Sequence, residues 1–182
     1  MKLSDTKQNI MAAARLLAQT RGYNGFSFQD IAEAVGIRTA SVHHHYPTKA
    51  ALCLLMMQQY SSSFFERLYS GTDDSRKGML SHFIAQYRAC LADNRVCLGV
   101  MFASDIADLS PEIADEVHKF LKANQAWLVR AFRSSGSQLS AAQAHLFFSS
   151  VQGAMLTAWA IQDHGIFEEA TNAALMMFQR PL

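Results

Sequence analysis

Apolar residues recur every three or four positions along almost the whole chain, and this periodicity constrains its fold more than any other feature. Such spacing lines up apolar side chains on one face of a helix, whereas a half-buried strand requires strict alternation, and no useful length of chain alternates. Only three prolines and nine glycines interrupt the 182 residues. The sequence therefore predicts an all-α fold of about nine helices, with a core drawn from the 50% of residues that are hydrophobic.

Capping residues and helix breakers set the expected helix boundaries. Pro47 suits the first position of a long helix because its ring fixes φ, and Gly71 to Asp74 is expected to form a loop. Ser140, with Gln143 three residues later, is expected to form a capping box before a long helix without charged residues. The expected helices cover residues from about 4 to 22, 28 to 34, 39 to 45, 47 to 68, 96 to 107, 110 to 136, 140 to 165 and 167 to 179. A further helix is expected after the loop at 71–74, with Leu80, Phe83, Ile84, Tyr87 and Leu91 on one side.

Charge and cysteine content indicate where the protein acts. The net charge of +1 is unevenly spread, since residues 1–50 hold six basic and three acidic residues, and this favours an anion-binding N-terminal module. Three cysteines are too few for a disulfide framework, and no secretory leader is recognised, so a cytoplasmic location is expected. Residues 134–162 lack Asp, Glu, Lys and Arg, but their glutamines, serines and histidine indicate burial by protein, so no membrane partner is expected.

Residues 28–42 have the spacing of a helix-turn-helix, in which the second helix projects into the major groove of DNA while the first lies across the backbone. Gly36 is expected to supply the positive φ that the sharp turn requires, and Ala32 is small because the second helix crosses close to it. The apolar residues expected to hold the two helices together are Ile31, Val35, Ile37 and Val42.

The flanking residues make this pattern more specific. The segments GFSFQDIA at 25–32, GI at 36–37 and HHYPTKAAL at 44–52 resemble the DNA-binding domain of the TetR/AcrR family of one-component transcriptional regulators. The resemblance covers residues 8–55, and the rest of the chain resembles the family in length and helix count. It implies a helix-turn-helix DNA-binding domain over residues 1–50 and a helical ligand-binding and dimerisation domain over residues 51–182.

The resemblance also implies which side chains meet DNA. Base-edge contacts would come from Gln29, Thr39, Ser41 and His43, phosphate contacts from Ser27, His45, Tyr46, Thr48 and Lys49, and Ala40 and His44 complete the set. The family usually has tyrosine at the position of His43, so its base preference does not transfer to that position. Three consecutive histidines on a helix point about 100° apart and cannot converge on one ion, so no metal site is expected.

For residues 51–182 the resemblance implies a site for a small-molecule effector. An interior rich in aromatic and methionine side chains can enclose a mostly apolar molecule, with Gln152 as a polar contact. The other residues expected to line this site are Tyr60, Phe64, Phe83, Tyr87, Cys97, Met101, Phe102, Trp127, Phe148, Met155 and Trp159. The alternative is that these side chains are ordinary core.

The last two long helices are expected to form a homodimer. The helix without charged residues has too much apolar surface for the face of a monomer, and Gly153 would let two helices approach closely. A two-fold dimer reads two half-sites at once, which explains how short recognition helices gain affinity for a palindromic operator in double-stranded DNA.

The segment CLGVMFASDIADLS at 97–110 is similar to the regulatory domain of NemR-like members of the family, which respond to reactive electrophiles. That similarity implies that Cys97 is a reactive thiol, and Arg95 nearby would favour its thiolate. The alternative is a buried and inert cysteine.

Together these features predict a repressor that releases its operator when a small, mostly apolar or electrophilic molecule binds, and that uses no cofactor. Two other classes remain open. An enzyme would need Cys97 to pair with a histidine as nucleophile and base, but no local motif supports this, so no catalytic residue is expected. A DNA-binding protein without a ligand would show no small-molecule effect on DNA release.

Overall fold

The computed structural model describes residues 3–133 and 140–179, and most of them are helical. The α-helices are α1 (Leu3–Arg21), α2 (Phe28–Val35), α3 (Thr39–His45), α4 (Lys49–Tyr69), α5 (Arg76–Ala92), α6 (Leu98–Ser104), α7 (Pro111–Arg133), α8 (Ser140–Ile161) and α9 (His164–Gln179). A short 3₁₀ helix, Ile106–Asp108, lies between α6 and α7. The described ranges contain no β-strand, so the predicted all-α fold with nine α-helices is confirmed.

Several predicted boundaries are confirmed to within a residue or two. Helix α3 has the expected bounds, and α1 ends before Gly22, which adopts a φ of +77° and donates its N–H to the carbonyl of Ala18. Residues 71–74 form the expected loop. The predicted helix end at Gly136 and the capping hydroxyl of Ser140 lie outside the residues and side chains that the structure describes.

Other boundaries differ from the predicted ones for local reasons. Pro47 does not start α4, because the Thr48 hydroxyl accepts a hydrogen bond from the N–H of Ala51, 3.1 Å away, and so caps a helix that begins one residue later. The helix expected over residues 96–107 is broken at Asp105 into α6 and the 3₁₀ helix. Helix α8 ends at Ile161 because Gln162 adopts a φ of +61°.

The chain divides into two compact units by packing, while the functional boundary expected at residue 50 stays a prediction. The first unit comprises residues 1–62 and 97–118, and the second comprises residues 63–96 and 119–182. Helices α4 and α7 therefore each contribute residues to both units. The segment that contains α6 belongs to the same unit as the helix-turn-helix.

The first unit has its core where α1, α2, α3 and α6 meet the start of α4. Helix α1 packs against both α2 and α6, and α2 packs against α3. Apolar residues spaced by three or four positions along α1 and α4 place their side chains on one buried face of each helix. The fully buried residues of this core include Ile10, Ala14, Ile31, Val42, Leu52 and Met56.

The second unit is built on an aromatic core. The ring of Phe83 on α5 lies 5.1 Å from Tyr87 and 5.8 Å from Trp127, centroid to centroid. Helix α8 packs along α9, and α5 packs against both. A bidentate ion pair between Arg88 and Glu168, with N···O distances of 2.6 and 2.8 Å, joins α5 to α9 at the surface. None of the described helices is long and apolar enough to cross a membrane.

Candidate nucleic-acid interface and ligand-binding residues

Ser27 fixes the start of α2. Its hydroxyl accepts a hydrogen bond from the N–H of Asp30 at 3.3 Å, and Oδ2 of Asp30 accepts one from the N–H of Ser27 at 2.7 Å. The hydrogen bond from the Ser27 hydroxyl, and to a lesser extent the one from the Ser27 N–H, lower the pKa of Asp30 below its ordinary value. This reciprocal pair is a capping box, which the Ser-x-x-Asp spacing signals and which our sequence analysis missed.

The turn between α2 and α3 has the predicted geometry. Gly36 adopts φ 75° and ψ 36°, and its N–H donates to the carbonyl of Ala32, 2.9 Å away. A Cβ at Gly36 would meet no atom within 4 Å, so its positive φ alone calls for glycine. Ile31 and Val42 are fully buried between the helices. The predicted role of Gly36 is therefore confirmed.

Helix α3 buries Val42 and turns polar or small side chains outward. Ala40, His43 and His44 are exposed, and Thr39, Ser41 and His45 are half-buried. The rings of His44 and His45 lie 5.4 Å apart. The exposed side of this short helix therefore offers hydroxyl and imidazole groups, which can bond to base edges or to phosphates.

Two residues of α2 adjoin this surface. Gln29 is exposed, and its Nε2 donates to Oε1 of Glu33 at 3.1 Å, so one amide hydrogen is already bonded. Phe28 is buried, and its ring centroid lies 4.7 Å from that of His43, at an interplanar angle of 67°. The structure thus places Gln29 and the exposed residues of α3 in the same helix-turn-helix.

Two residues expected at phosphates have their polar groups bonded within the first unit. Tyr46 is only 4% exposed, and its hydroxyl donates to the carbonyl of Lys7 at 3.5 Å. Nζ of Lys49 donates to the carbonyl of Phe26 at 2.5 Å and lies 4.3 Å from the Phe26 ring and 4.7 Å from the Tyr23 ring. Burial raises the pKa of Tyr46 and lowers that of Lys49.

The segment after α6 is bonded to the end of α1. Oδ2 of Asp105 accepts a hydrogen bond from the N–H of Tyr23 at 2.7 Å, and Oδ2 of Asp108 accepts one from Nδ2 of Asn24, also at 2.7 Å. The ring of Tyr23 meets that of Phe102 edge-on at 5.9 Å. No pattern in the sequence links residues so far apart along the chain, so neither aspartate could be identified from the sequence.

The predicted ligand-binding residues are divided between the two units. Tyr60, Cys97, Met101 and Phe102 belong to the first unit, where all but the half-buried Met101 are buried. Cys97 has no exposed surface, and its carbonyl accepts hydrogen bonds from the N–H groups of Val100 and Met101 at the start of α6. Burial raises the pKa of another cysteine, Cys53, to about 12.

The remaining predicted ligand-binding residues lie in the second unit. Phe64, Phe83, Tyr87, Trp127, Phe148 and Met155 are buried, whereas Gln152 and Trp159 are half-buried.

Two amide side chains of the second unit have buried polar groups. The hydroxyl of Tyr87 donates to Oδ1 of Asn124 at 3.3 Å, and Asn124, which sequence analysis did not identify, is fully buried. Nε2 of Gln152 is buried and has no hydrogen-bond partner in the part of the chain that the structure describes. Such an amide needs a partner, since an unpaired buried donor costs free energy.

Helices α8 and α9 expose apolar residues next to a groove. Leu146, Ile161, Met176 and Met177 are 54%, 61%, 71% and 66% exposed. The groove has a volume of about 430 Å³, and its lining includes small residues such as Ser150, Ala154, Ala170 and Ala173. Gly153 is exposed on α8, and a Cβ there would meet nothing within 4 Å.

Within the described residues, no three His, Cys, Asp or Glu side chains are grouped so that they could hold a metal ion.

Comparison with known proteins supports the assignment of the helix-turn-helix. Residues 10–56 match the family described as bacterial regulatory proteins, tetR family. None of the curated proteins matches the chain. A TetR transcriptional regulator from Legionella pneumophila is 31% identical, with a TM-score of 0.88, and the match covers 98% of this chain and 100% of that one.

Other solved structures share the fold. A TetR-family transcriptional regulator from Agrobacterium tumefaciens is 28% identical, with a TM-score of 0.91 over 98% of this chain and 100% of that one. The reduced form of NemR from E. coli is 21% identical, with a TM-score of 0.75 over 93% and 95% of the two chains, a likeness of fold alone. Members of the family bind DNA and act as dimers. From its helix-turn-helix, the nine α-helices of its described residues and its near full-length match at 31% identity, we conclude that the chain belongs to the TetR family of transcriptional regulators.

Proposed function

We propose that this protein is a homodimeric repressor that binds a palindromic operator and releases it when a small, mostly apolar molecule binds. The observation that carries the proposal is the exposed polar side of α3, which follows the glycine turn of a helix-turn-helix. Its short side chains suit a helix lying in the major groove, where hydroxyl and imidazole groups reach base edges.

On this proposal Gln29, Thr39, Ser41 and His43 read base edges, and Ser27, His45 and Thr48 contact phosphates. Tyr46 and Lys49 support this surface from within the first unit and do not contact phosphates, because the Tyr46 hydroxyl and the Lys49 ammonium already bond to backbone carbonyls. Ala40 and His44 lie on the same exposed side of α3 and come close to the groove without an assigned base.

The dimer is proposed to form through α8 and α9. Their exposed leucine, isoleucine and methionine side chains form an apolar surface next to a groove lined by small residues. A two-fold axis would let the large side chains of each copy enter the groove of the other, since both copies present the same surface. Gly153 lies on the exposed side of α8 and leaves room for a partner helix.

The effector is proposed to bind without forming a covalent bond. Full burial of Cys97 disfavours attack on an electrophile, because a reactive thiol must be accessible. The aromatic interior of the second unit with its Tyr87–Asn124 pair suits a mostly apolar molecule, and the unpaired Nε2 of Gln152 in the same unit could donate to an acceptor on it.

Release of DNA is proposed to pass through α6. Within the first unit, a displacement of Phe102 would act on Tyr23, whose ring contacts Phe102 and whose N–H is bound by Asp105. Tyr23 lies between α1 and α2, so its displacement would shift the helix-turn-helix. The effector must bind the DNA-incompetent arrangement more tightly than the other, because equal affinity would shift nothing.

Selection of bound sequences from random double-stranded DNA tests the proposal. We expect the purified protein to enrich a palindrome, and His43→Ala to lose preference at one base pair in each half-site, at a cost of about 1 to 3 kcal/mol. Titration of the selected operator complex with a panel of apolar compounds and one soft electrophile then tests release. No enriched sequence would contradict operator binding, and a complex that no compound releases would favour a DNA-binding protein without an effector.

The same preparations separate the regulator from an enzyme. Generic ester and thiol substrates should show no turnover at concentrations where the operator is bound. Turnover that Cys97→Ser abolishes would overturn the proposal.

A further inference from the structure

The contact between Phe28 and His43 joins the first residue of α2 to the exposed side of α3. The two ring centroids are 4.7 Å apart and the ring planes meet at 67°, the edge-to-face arrangement that aromatic pairs favour. Phe28 is 8% exposed, whereas His43 is exposed. One ring is thus fixed in the fold and the other is directed outward.

Orientation matters more for an imidazole than for a hydroxyl. A neutral imidazole has one donor and one acceptor, at fixed positions on the edge of a planar ring, so rotating the ring changes which base atom it can meet. An exposed side chain without packing changes rotamer within picoseconds to nanoseconds. A histidine that discriminates between base pairs therefore needs a neighbour that holds its ring.

The backbone around Phe28 is itself held in place. Phe28 directly follows Ser27, whose capping box with Asp30 fixes the start of α2. One residue beyond, Gln29 is exposed and bonded to Glu33, so Phe28 is the residue at this end of α2 that faces His43. The ring against which His43 rests is thus set by a capped helix end.

We propose that Phe28 is a positioning residue for base recognition: it holds the His43 imidazole in the orientation that reads one base pair in each half-site. This inference rests on the proposed operator binding. Phe28 itself contacts no base. It raises the discrimination of His43 by removing ring orientations that would accept another base pair.

The test is selection from random double-stranded DNA with the full-length protein and its Phe28→Leu variant. Leucine keeps an apolar side chain at this site but removes the ring. At the base pair where His43→Ala lowers the preference, we expect Phe28→Leu to lower the enrichment of the preferred base pair over the others by roughly three- to ten-fold. The preferences at the other positions should not change. In the His43→Ala background, Phe28→Leu should cause no further change at that base pair.

Two controls separate positioning from stability. Ile31→Val removes a methylene group from the same buried helix interface and leaves both rings in the chain, so it should lower the melting temperature and weaken binding to all sequences alike. Phe28→Tyr keeps the ring and should keep the wild-type preference. The inference would be overturned if Phe28→Leu weakened binding to all sequences alike, as Ile31→Val should, or if it lowered the preference at a different base pair.

The outcomes also separate this inference from the proposed function. If the wild-type protein enriches no sequence, operator binding and the role of Phe28 are both overturned. If it enriches a palindrome that His43→Ala alters and Phe28→Leu does not, operator binding stands and only the positioning role fails.

Discussion

The carboxylate of Asp105 accepts a hydrogen bond from the backbone N–H of Tyr23, 2.7 Å away, across 82 positions of sequence. It joins the residue that separates α6 from the 3₁₀ helix to the residue just beyond the end of α1. The DNA-binding helices and the α6 segment are therefore linked by a bond between a charged side chain and the main chain, which is stronger than a bond between neutral groups.

Asp105→Ala should destabilise the first unit. It leaves the N–H of Tyr23 without its acceptor, and we expect the free energy of unfolding to fall by about 1 to 2 kcal/mol in urea titrations. Asp108→Ala is the matched control and should cost less, because its bond to the Asn24 side chain is exposed. Equal losses in the two variants would contradict a special role for Asp105.

Gly153→Leu should shift the protein from dimer to monomer in sedimentation. A Cβ at Gly153 meets no atom within 4 Å in the protomer, and the position is exposed, so we expect the leucine to fit the protomer and to displace a partner copy. Operator affinity should fall with the dimer. Ala141→Leu adds the same side chain at an exposed position about 120° around α8 and should leave the dimer intact. A Gly153→Leu dimer as stable as the wild type would place the interface elsewhere.

Lys49→Met should leave the salt dependence of operator affinity unchanged. The Lys49 ammonium already bonds to the carbonyl of Phe26 inside the first unit, so no counterion release depends on it. Arg38→Met is the comparison, because Arg38 is exposed at the start of α3 and its loss should lower the salt slope by about one unit. The same drop for Lys49→Met would show that its ammonium turns outward to a phosphate.

Asp30 should make stability depend on pH in the acid range. Its hydrogen bonds from Ser27 lower its pKa in the folded protein, so its contribution is complete above the ordinary aspartate pKa of about 3.9. That contribution is lost as pH falls through the lowered pKa of the folded state. The difference in unfolding free energy between wild type and Asp30→Asn should therefore shrink at acid pH. If this free-energy difference stays constant down to pH 2, protonation of Asp30 does not contribute to the pH dependence of stability.

Thiol labelling of the native protein should modify Cys90 first. Cys90 is half-buried, whereas Cys53 and Cys97 have no exposed surface, and burial raises the pKa of Cys53 to about 12. Mass spectrometry should show one fast modification, absent from Cys90→Ser, and three modifications after unfolding. Fast labelling of Cys97 in the native protein would instead support a role for Cys97 as a sensor of electrophiles.

The features that could be predicted from sequence are those decided within one turn or one helix. Gly36 could be placed because a sharp turn between two apolar helices needs a positive φ, and the bounds of α3 follow from the same short pattern. The start of α4 was missed by two residues because Pro47 and Thr48 are both favoured near a helix start, and the Thr48 hydroxyl makes the capping bond.

The features that could not be predicted depend on contacts between distant parts of the chain. The roles of Asp105 and Asn124 arise only when α6 meets the end of α1 and when α7 meets α5. The inward bonding of Lys49 depends on Phe26, 23 residues earlier in the chain. A family resemblance assigns a lysine to phosphate by position, but the direction of its side chain is decided by the aromatic rings around it.

Gly22 and Gly36 have nearly the same backbone conformation, with φ of +77° and +75°, but their neighbours differ. A Cβ at Gly22 would lie 2.7 Å from Oδ2 of Asp105, whereas one at Gly36 would meet nothing. Asparagine tolerates this conformation, so natural variants with asparagine should be acceptable at position 36. At position 22, a side chain would require the Asp105 carboxylate to move from its bond to the N–H of Tyr23, so these two positions should change together among homologues.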